Sequence, residues 1–375
     1  MSPVKQVFSI ERRSIPLKIP VIQRRWVIQG KWDMRESQET LTHLPEGCAL
    51  LRILRIGVCY GDLRYLAARR PPQVLKEKLP MAPFHEAVAE VMEIAEPNVS
   101  LQPGQKVVPV PNLPCTVHDF SESPPCDACA PGGPGENYCR DVRFLGSNVH
   151  GFGQSHLVHP VERCLPLPKG VPWQIAFLAE PFSVSFHAAR LCPQMPNVKV
   201  LVLGAGLMGG MLILALSEMG RLPKEQLFVC DPREERVQEL SHWATPWKEG
   251  QTELDAVVEC AGGNASNDTV NMGLEYLKPG GFLGLLGVPN KELSLSFRPL
   301  MDKGLTLRGI NRSAIEDYRS ALEAMTSKAV RQHLEKQLSS TPRHARGAED
   351  FLRACRAADQ PNRDGKIYVD LPINP

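Results

Sequence analysis

The segment Gly204-Ala205-Gly206-Leu207-Met208-Gly209 constrains this chain more than any other. It follows a continuous apolar run at residues 198–203 and opens a helical pattern that reaches Leu216. In that strand–turn–helix setting each glycine has a task. The first permits the tight turn, the second lets the backbone approach a pyrophosphate, and the third lets helix and strand pack closely. The free N–H groups of the helix, from Leu207 and Met208 onward, then face the phosphates. Further short apolar runs at 227–230, 254–260, 281–287 and 305–308 alternate with helix-like segments, the pattern of a doubly wound parallel sheet. The second run ends at Asp231, placed to accept hydrogen bonds from an adenosine ribose. A carboxylate there favours NAD over NADP, while Arg233 and Arg236 keep NADP open as partners for a 2′-phosphate.

The flanking sequence has another character. Residues 49–58, 87–95 and 106–110 read as Val-, Ile- and Leu-rich strands joined by turns. Residues 112–140 are rich in Pro, Gly, Cys and Ser and read as a loop lobe. After residue 309 come two helical stretches, 314–325 and 347–358, and a closing strand at 366–371. A length of 375 residues suits two domains. The expectation is a nucleotide-binding domain over 192–308, inserted into a mainly-β catalytic domain made of 1–191 and 309–375. The segment 24–46 receives no role. A formal charge of +2, with no basic run interleaved with aromatics, points away from nucleic acid. No apolar stretch reaches the roughly 18 residues of a membrane span. Residues 1–25 hold no secretory h-region, so the expected location is cytoplasmic.

Eleven cysteines in a long chain without an export signal point to metal rather than disulfides. Cys59 stands at a strand end, His85-Glu86 follows two prolines, and Glu180 lies on a helical segment downstream. Thiolate, imidazole and carboxylate are all competent zinc ligands, and beside a dinucleotide fold they fit a catalytic zinc with an exchangeable position. Asp62 is placed to accept the second ring N–H of His85 and fix its tautomer. Such a zinc stabilises negative charge on the reacting oxygen, while a nicotinamide gives or takes the hydride. Cys115, Cys126, Cys129 and Cys139 fall in one 25-residue window, with CxxC spacing between the middle pair. Four thiolates close a tetrahedral structural zinc, which would supply folding energy to a lobe with little core of its own.

At these residues the chain resembles the medium-chain dehydrogenase/reductase superfamily. The likeness rests on Gly57-Val-Cys59 with Asp62, His85-Glu86, Lys106-Val-Val, Ala179-Glu-Pro-Phe-Ser, the 204–209 motif, Val258-Glu-Cys-Ala-Gly-Gly and Gly365-Lys-Ile-Tyr-Val. It implies a Rossmann domain inserted in a GroES-like catalytic domain, zinc and NAD or NADP as cofactors, and a homo-oligomer, dimer or tetramer. A Glu beside the zinc His resembles the sorbitol (polyol) dehydrogenase branch, in which Glu180 would approach the metal directly or through water. Asp62-Leu-Arg64-Tyr65, residues 78–86, residues 108–114, Glu136-Asn-Tyr and Asn311-Arg312-Ser313 are similar to the ribulose-5-phosphate reductases. Those reductases use NADPH and tend to lack the four-thiolate set. The family's relay serine, two residues after the zinc cysteine, is Gly61 here, so Tyr60, Glu86 or Glu180 with water would carry the proton.

The expected reaction is hydride transfer between NAD(P)H and a ketose-phosphate carbonyl, giving an alditol phosphate. Phosphate recognition needs cations, and Arg64 and Arg312 are the first candidates, with Arg69, Arg70 and Arg143 also available. Tyr65 is placed either to bind a substrate hydroxyl or to pack. The alternatives are dehydrogenation of an unphosphorylated polyol or amino alcohol, and a non-catalytic nucleotide-binding protein.

Overall fold

A computed structural model describes residues 13–95, 101–118, 124–218, 222–248, 250, 253–361 and 363–372. The expectation that residues 1–25 carry no signal segment therefore lies partly outside the described residues. The chain forms two compact units, one of residues up to Glu180 and from Ala314 onward, the other Pro181–Ser313.

The first unit is built on an antiparallel sheet. Its strand order is Tyr368–Asp370, Cys48–Gly57, Glu86–Ile94, Lys106–Pro109 and Cys164–Pro166, and His156–Pro160 also pairs with Cys48–Gly57. The central strand Cys48–Gly57 is buried along nearly its whole length, which its run Ala49-Leu-Leu-Arg-Ile-Leu-Arg-Ile permits. Segment 24–46, unassigned from sequence, lies in a long hairpin of Ser14–Gly30 against Asp33–Pro45, turned through Trp32 at φ 52°. The hairpin is part of the core. Trp26 and Ile28 are almost fully buried, and the Trp26 ring lies 4.7 Å from Phe351, which in turn stacks on Phe84 at 5.5 Å. Ile28 N–H donates to the Met81 carbonyl at 2.9 Å, so the hairpin grips the loop that leads into His85.

The second unit is a six-stranded parallel sheet. Its order is Thr245–Pro246, Leu227–Cys230, Val200–Leu203, Leu254–Glu259, Leu277–Leu285 and Thr306–Gly309. Numbered within the unit that is 3-2-1-4-5-6, the doubly wound arrangement, whose order reverses between Val200–Leu203 and Leu254–Glu259. The apolar strands, buried on both faces, are why the sequence shows runs rather than alternation. Among the described residues no helix is long and apolar enough to cross a membrane.

Candidate metal and nucleotide sites

In the first unit, ligand atoms of Cys59, His85 and Glu86 all lie within 4.8 Å of one another. Local structure explains how. Cys59 caps the helix Tyr60–Leu66: its sulfur accepts from the Gly61 N–H at 3.4 Å, and Asp62 reaches back to the Cys59 N–H at 3.0 Å. The other Asp62 oxygen accepts the Phe84 N–H at 3.0 Å and stands 3.3 Å from His85 Nδ1. One buried carboxylate thus ties the helix cap to the loop holding the imidazole. Phe84 is fully buried and carries φ 76°, an uncommon conformation for an aromatic residue. It is held by Asp62 on its N–H, by Phe152 donating to its carbonyl, and by Gly146 and Gly151, whose lack of Cβ leaves room for that carbonyl.

Glu86 opens the strand Glu86–Ile94 and is 1% exposed. Its Oε1 accepts from Lys366 Nζ at 2.6 Å, and its Oε2 is buried with no hydrogen-bond partner. A Cβ on Gly57 would stand 2.1 Å from that Oε2, so only glycine leaves the carboxylate its place. An orphaned carboxylate oxygen beside a thiol and an imidazole is the donor chemistry of a zinc site. Lys366 falls in the closing Gly365-Lys-Ile-Tyr-Val motif but had no role assigned from sequence.

Burial opposes a charged His85, but the Asp62 carboxylate and the Cys59 thiol outweigh it and raise the imidazole pKa well above its ordinary value. Lys366 behaves alike: burial lowers its pKa, while Glu86 and Cys59 raise it further. Glu180 lies outside the 4.8 Å set, though it is buried near it. Burial, reinforced by Glu86 and Asp62 and opposed by His85 and Lys366, pushes its carboxyl up to about 7. Gly61 is open: a Cβ there would meet His85 Cε1 at 3.6 Å and Cys59 Sγ at 3.7 Å, ordinary contact distances.

Cys115, Cys126, Cys129 and Cys139 form a second group within 4.8 Å. Backbone N–H groups of Arg140, Cys129 and Ala128 point at Cys126 and lower its thiol pKa to about 6. Burial and the neighbouring sulfurs push Cys129 well up. Sulfurs this close, one already favoured as thiolate by amides, fit a cation among them.

In the second unit, Gly204 takes φ 101°, and a Cβ on it would press on the Ala261 backbone at 2.8 Å. A Cβ on Gly209 would collide with the Gly204 carbonyl at 1.8 Å, so the third glycine is there for close packing. Gly206 is open, with only Arg236 Nη1 within reach, at 3.5 Å from its Cβ position. This is a turn a phosphate can approach. Asp231 accepts the Ala205 N–H at 2.8 Å and the Arg233 N–H at 2.9 Å. Its carboxylate therefore helps to shape the turn.

A family model described as the alcohol dehydrogenase GroES-like domain matches residues 45–169, and one described as zinc-binding dehydrogenase matches 228–327. Together they take in more than half of the chain. The chain belongs to the zinc-binding alcohol dehydrogenases. It is an NAD(P)-linked oxidoreductase of the medium-chain type, on a Rossmann plus GroES-like fold. Ribulose-5-phosphate reductase 1 of Staphylococcus aureus is 29% identical over 282 residues, 73% of this chain and 77% of that protein. Sorbitol dehydrogenase of Ovis aries is 26% identical over 326 residues, 81% of this chain and 86% of that protein. Among solved structures, L-idonate 5-dehydrogenase of Escherichia coli superposes with a TM-score of 0.77 at 22% identity, over 94% of this chain and 99% of that one. S. aureus TarJ in complex with NADPH superposes with a TM-score of 0.75 at 21% identity, over 94% of this chain and all of that one. These two likenesses show the fold.

Proposed function

We propose that this dehydrogenase interconverts a ketose phosphate and its alditol phosphate, of the ribulose 5-phosphate and ribitol 5-phosphate type, with NAD(P)H as the hydride donor. The observation that carries the chemistry is the Cys59, His85 and Glu86 cluster, set by Asp62 and backed by Lys366. The substrate class draws on the several ribulose-5-phosphate reductases, 27–29% identical, among the relatives.

Cys59, His85 and Glu86 would hold zinc, with Glu180 beside them, and the 204–209 turn with Asp231 would hold the dinucleotide. Bound there, zinc would polarise the substrate carbonyl and the nicotinamide would deliver hydride to its carbon. The chain's own part is preparation. Asp62 keeps the His85 Nδ1 proton on its own side, which leaves Nε2 as the ligand atom. Lys366 compensates Glu86 in a pocket where an unpaired carboxylate would be costly. The proton that completes the alcohol enters by way of Tyr60, Glu86 or Glu180 with water, because position 61 offers no hydroxyl. Cys115, Cys126, Cys129 and Cys139 would hold a second, structural zinc. Arg233 and Arg236 flank the ribose end, and they support acceptance of NADPH beside the NADH that Asp231 favours. Arg64 would contact the substrate from the helix that Cys59 caps, whereas Tyr65, 4% exposed and with its hydroxyl 3.3 Å from that of Ser147, fits a packing role instead. Arg312 belongs to the other unit and takes φ 58°, and the substrate reading does not depend on it.

A second reading, oxidation of an unphosphorylated polyol, is favoured by the longer match to sorbitol dehydrogenase. Initial rates with ribulose 5-phosphate, ribulose, sorbitol and xylitol, each with both dinucleotides, separate the two. The proposal expects the phosphorylated ketose to lead in kcat/KM by at least tenfold. Equal rates on ribulose and its phosphate would refute it.

A further inference from the structure

Three guanidiniums lie within seven residues of one another after Cys59, and the structure treats them differently. Arg69 is spent: both its terminal nitrogens bond Asp359 at 2.7 Å. Arg64 and Arg70 have no carboxylate at ion-pair distance among the described residues. The chain nevertheless brings them together. Ala68 takes the left-handed conformation (φ 53°), and the Arg69 N–H folds back on the Arg64 carbonyl at 2.8 Å. Arg70 thereby returns over the Tyr65 ring, its guanidinium carbon 4.9 Å from the ring centre. The Arg70 Nε is buried and has no hydrogen-bond partner. Tyr65 itself is 4% exposed, and its hydroxyl stands 3.3 Å from the Ser147 hydroxyl. Burial, and then the nearby charge of Arg70, lower the pKa of Arg64.

Two like charges that feel one another, partly buried and with no carboxylate at ion-pair distance, are an unfavourable arrangement that a bound dianion would relieve. Planar guanidinium forks are matched to phosphate oxygens. We propose that Arg64 and Arg70, bracketing Tyr65, form the seat for the phosphoryl group of the substrate. This rests on the ketose-phosphate reading above. Arg64 lies on the short helix that Cys59 caps, five residues after that thiol.

The test uses the whole zinc-loaded protein and inorganic phosphate as probe, followed by calorimetry. Wild type should bind phosphate. R64Q and R70Q should bind it at least tenfold more weakly, R70K should recover part of the loss, and R69Q should bind as wild type. The kcat/KM preference for ribulose 5-phosphate over ribulose should fall at least tenfold in R64Q and R70Q. Zinc content and thermal unfolding equal to wild type show that a variant is folded, and R64K replaces R64Q if it is not. Undiminished phosphate binding in R64Q and R70Q, or none in wild type, overturns the seat. Phosphate binding that is lost in the variants, with wild type reducing both sugars equally, leaves the seat standing and removes the ketose-phosphate reading. Strong wild-type preference for the phosphorylated sugar that survives in both variants does the reverse.

Discussion

Replacing Lys366 by methionine should reveal whether Glu86 is a carboxylate waiting for a metal. The ammonium and the carboxylate oxygen are 2.6 Å apart, with 9% and 1% of their side chains exposed. At an effective dielectric of about 20 their attraction is about 6 kcal/mol, part of which offsets desolvation. Removing one partner of such a pair costs about 3–5 kcal/mol, because the other charge is left buried. In K366M without metal, Glu86 then has neither oxygen satisfied, since Oε2 already lacks a partner. A cation bound by Cys59, His85 and Glu86 would restore that compensation. The assay is urea unfolding of wild type and K366M, each with zinc and after chelation. Chelation also strips the thiolate group, but equally in both proteins, so that contribution cancels. The expected result is a deficit of about 3 kcal/mol or more in chelated K366M that shrinks clearly on zinc loading. An equal deficit with and without zinc would refute the argument that Glu86 faces the metal, and no deficit at all would refute the pair's importance.

Other outcomes follow from the same geometry. Gly57→Ala should lose about 2–3 kcal/mol of stability, together with zinc from the catalytic group, because its methyl would overlap Glu86 Oε2 and the Phe177 ring; unfolding and metal content check it. Gly61→Ser should fold and bind zinc as wild type, since the added Cβ meets only ordinary contacts, and it should change the pH profile of kcat by offering a hydroxyl beside Cys59 and His85. Cys126→Ser should lose one zinc and make the 115–139 lobe sensitive to proteolysis. Glu36 is held at about 2, chiefly by its paired hydrogen bonds from Arg24, against an ordinary value of 4.5. Its pKa is depressed by folding, so its contribution is present above pH 4.5 and lost as pH falls towards 2. The pair is partly exposed, so E36Q should cost only about 1 kcal/mol at neutral pH, and its urea midpoint should converge on wild type in that acid window.

What could be read from sequence was what local pattern encodes. The 204–209 turn, the flanking apolar runs and Asp231 sit within a few tens of residues, and the structure supplies steric reasons for Gly204 and Gly209 while leaving Gly206 open. Asp62 was legible as an acceptor for the second ring N–H of His85, and the structure puts it 3.3 Å from His85 Nδ1; its second task, on the Cys59 N–H at the helix cap, was not read. Lys366 was not legible, since its partner Glu86 is 280 residues away and nothing local marks a lysine as buried. The difference between Arg69 and Arg70 was hidden for the same reason, because Asp359 lies 290 residues beyond Arg69. The hairpin over 14–45 was missed because two prolines and a register shift between Pro16 and Val21 break its alternation. Its buried end, at Trp26 and Ile28, acquires meaning only against Met81 and Phe351.

Metal analysis tests the central claim most directly. Wild type purified without chelator should carry two zinc ions per chain, and C59S and H85A should each carry one while keeping the fold and the thiolate site. Two ions retained in C59S and H85A would contradict a catalytic zinc held by Cys59, His85 and Glu86.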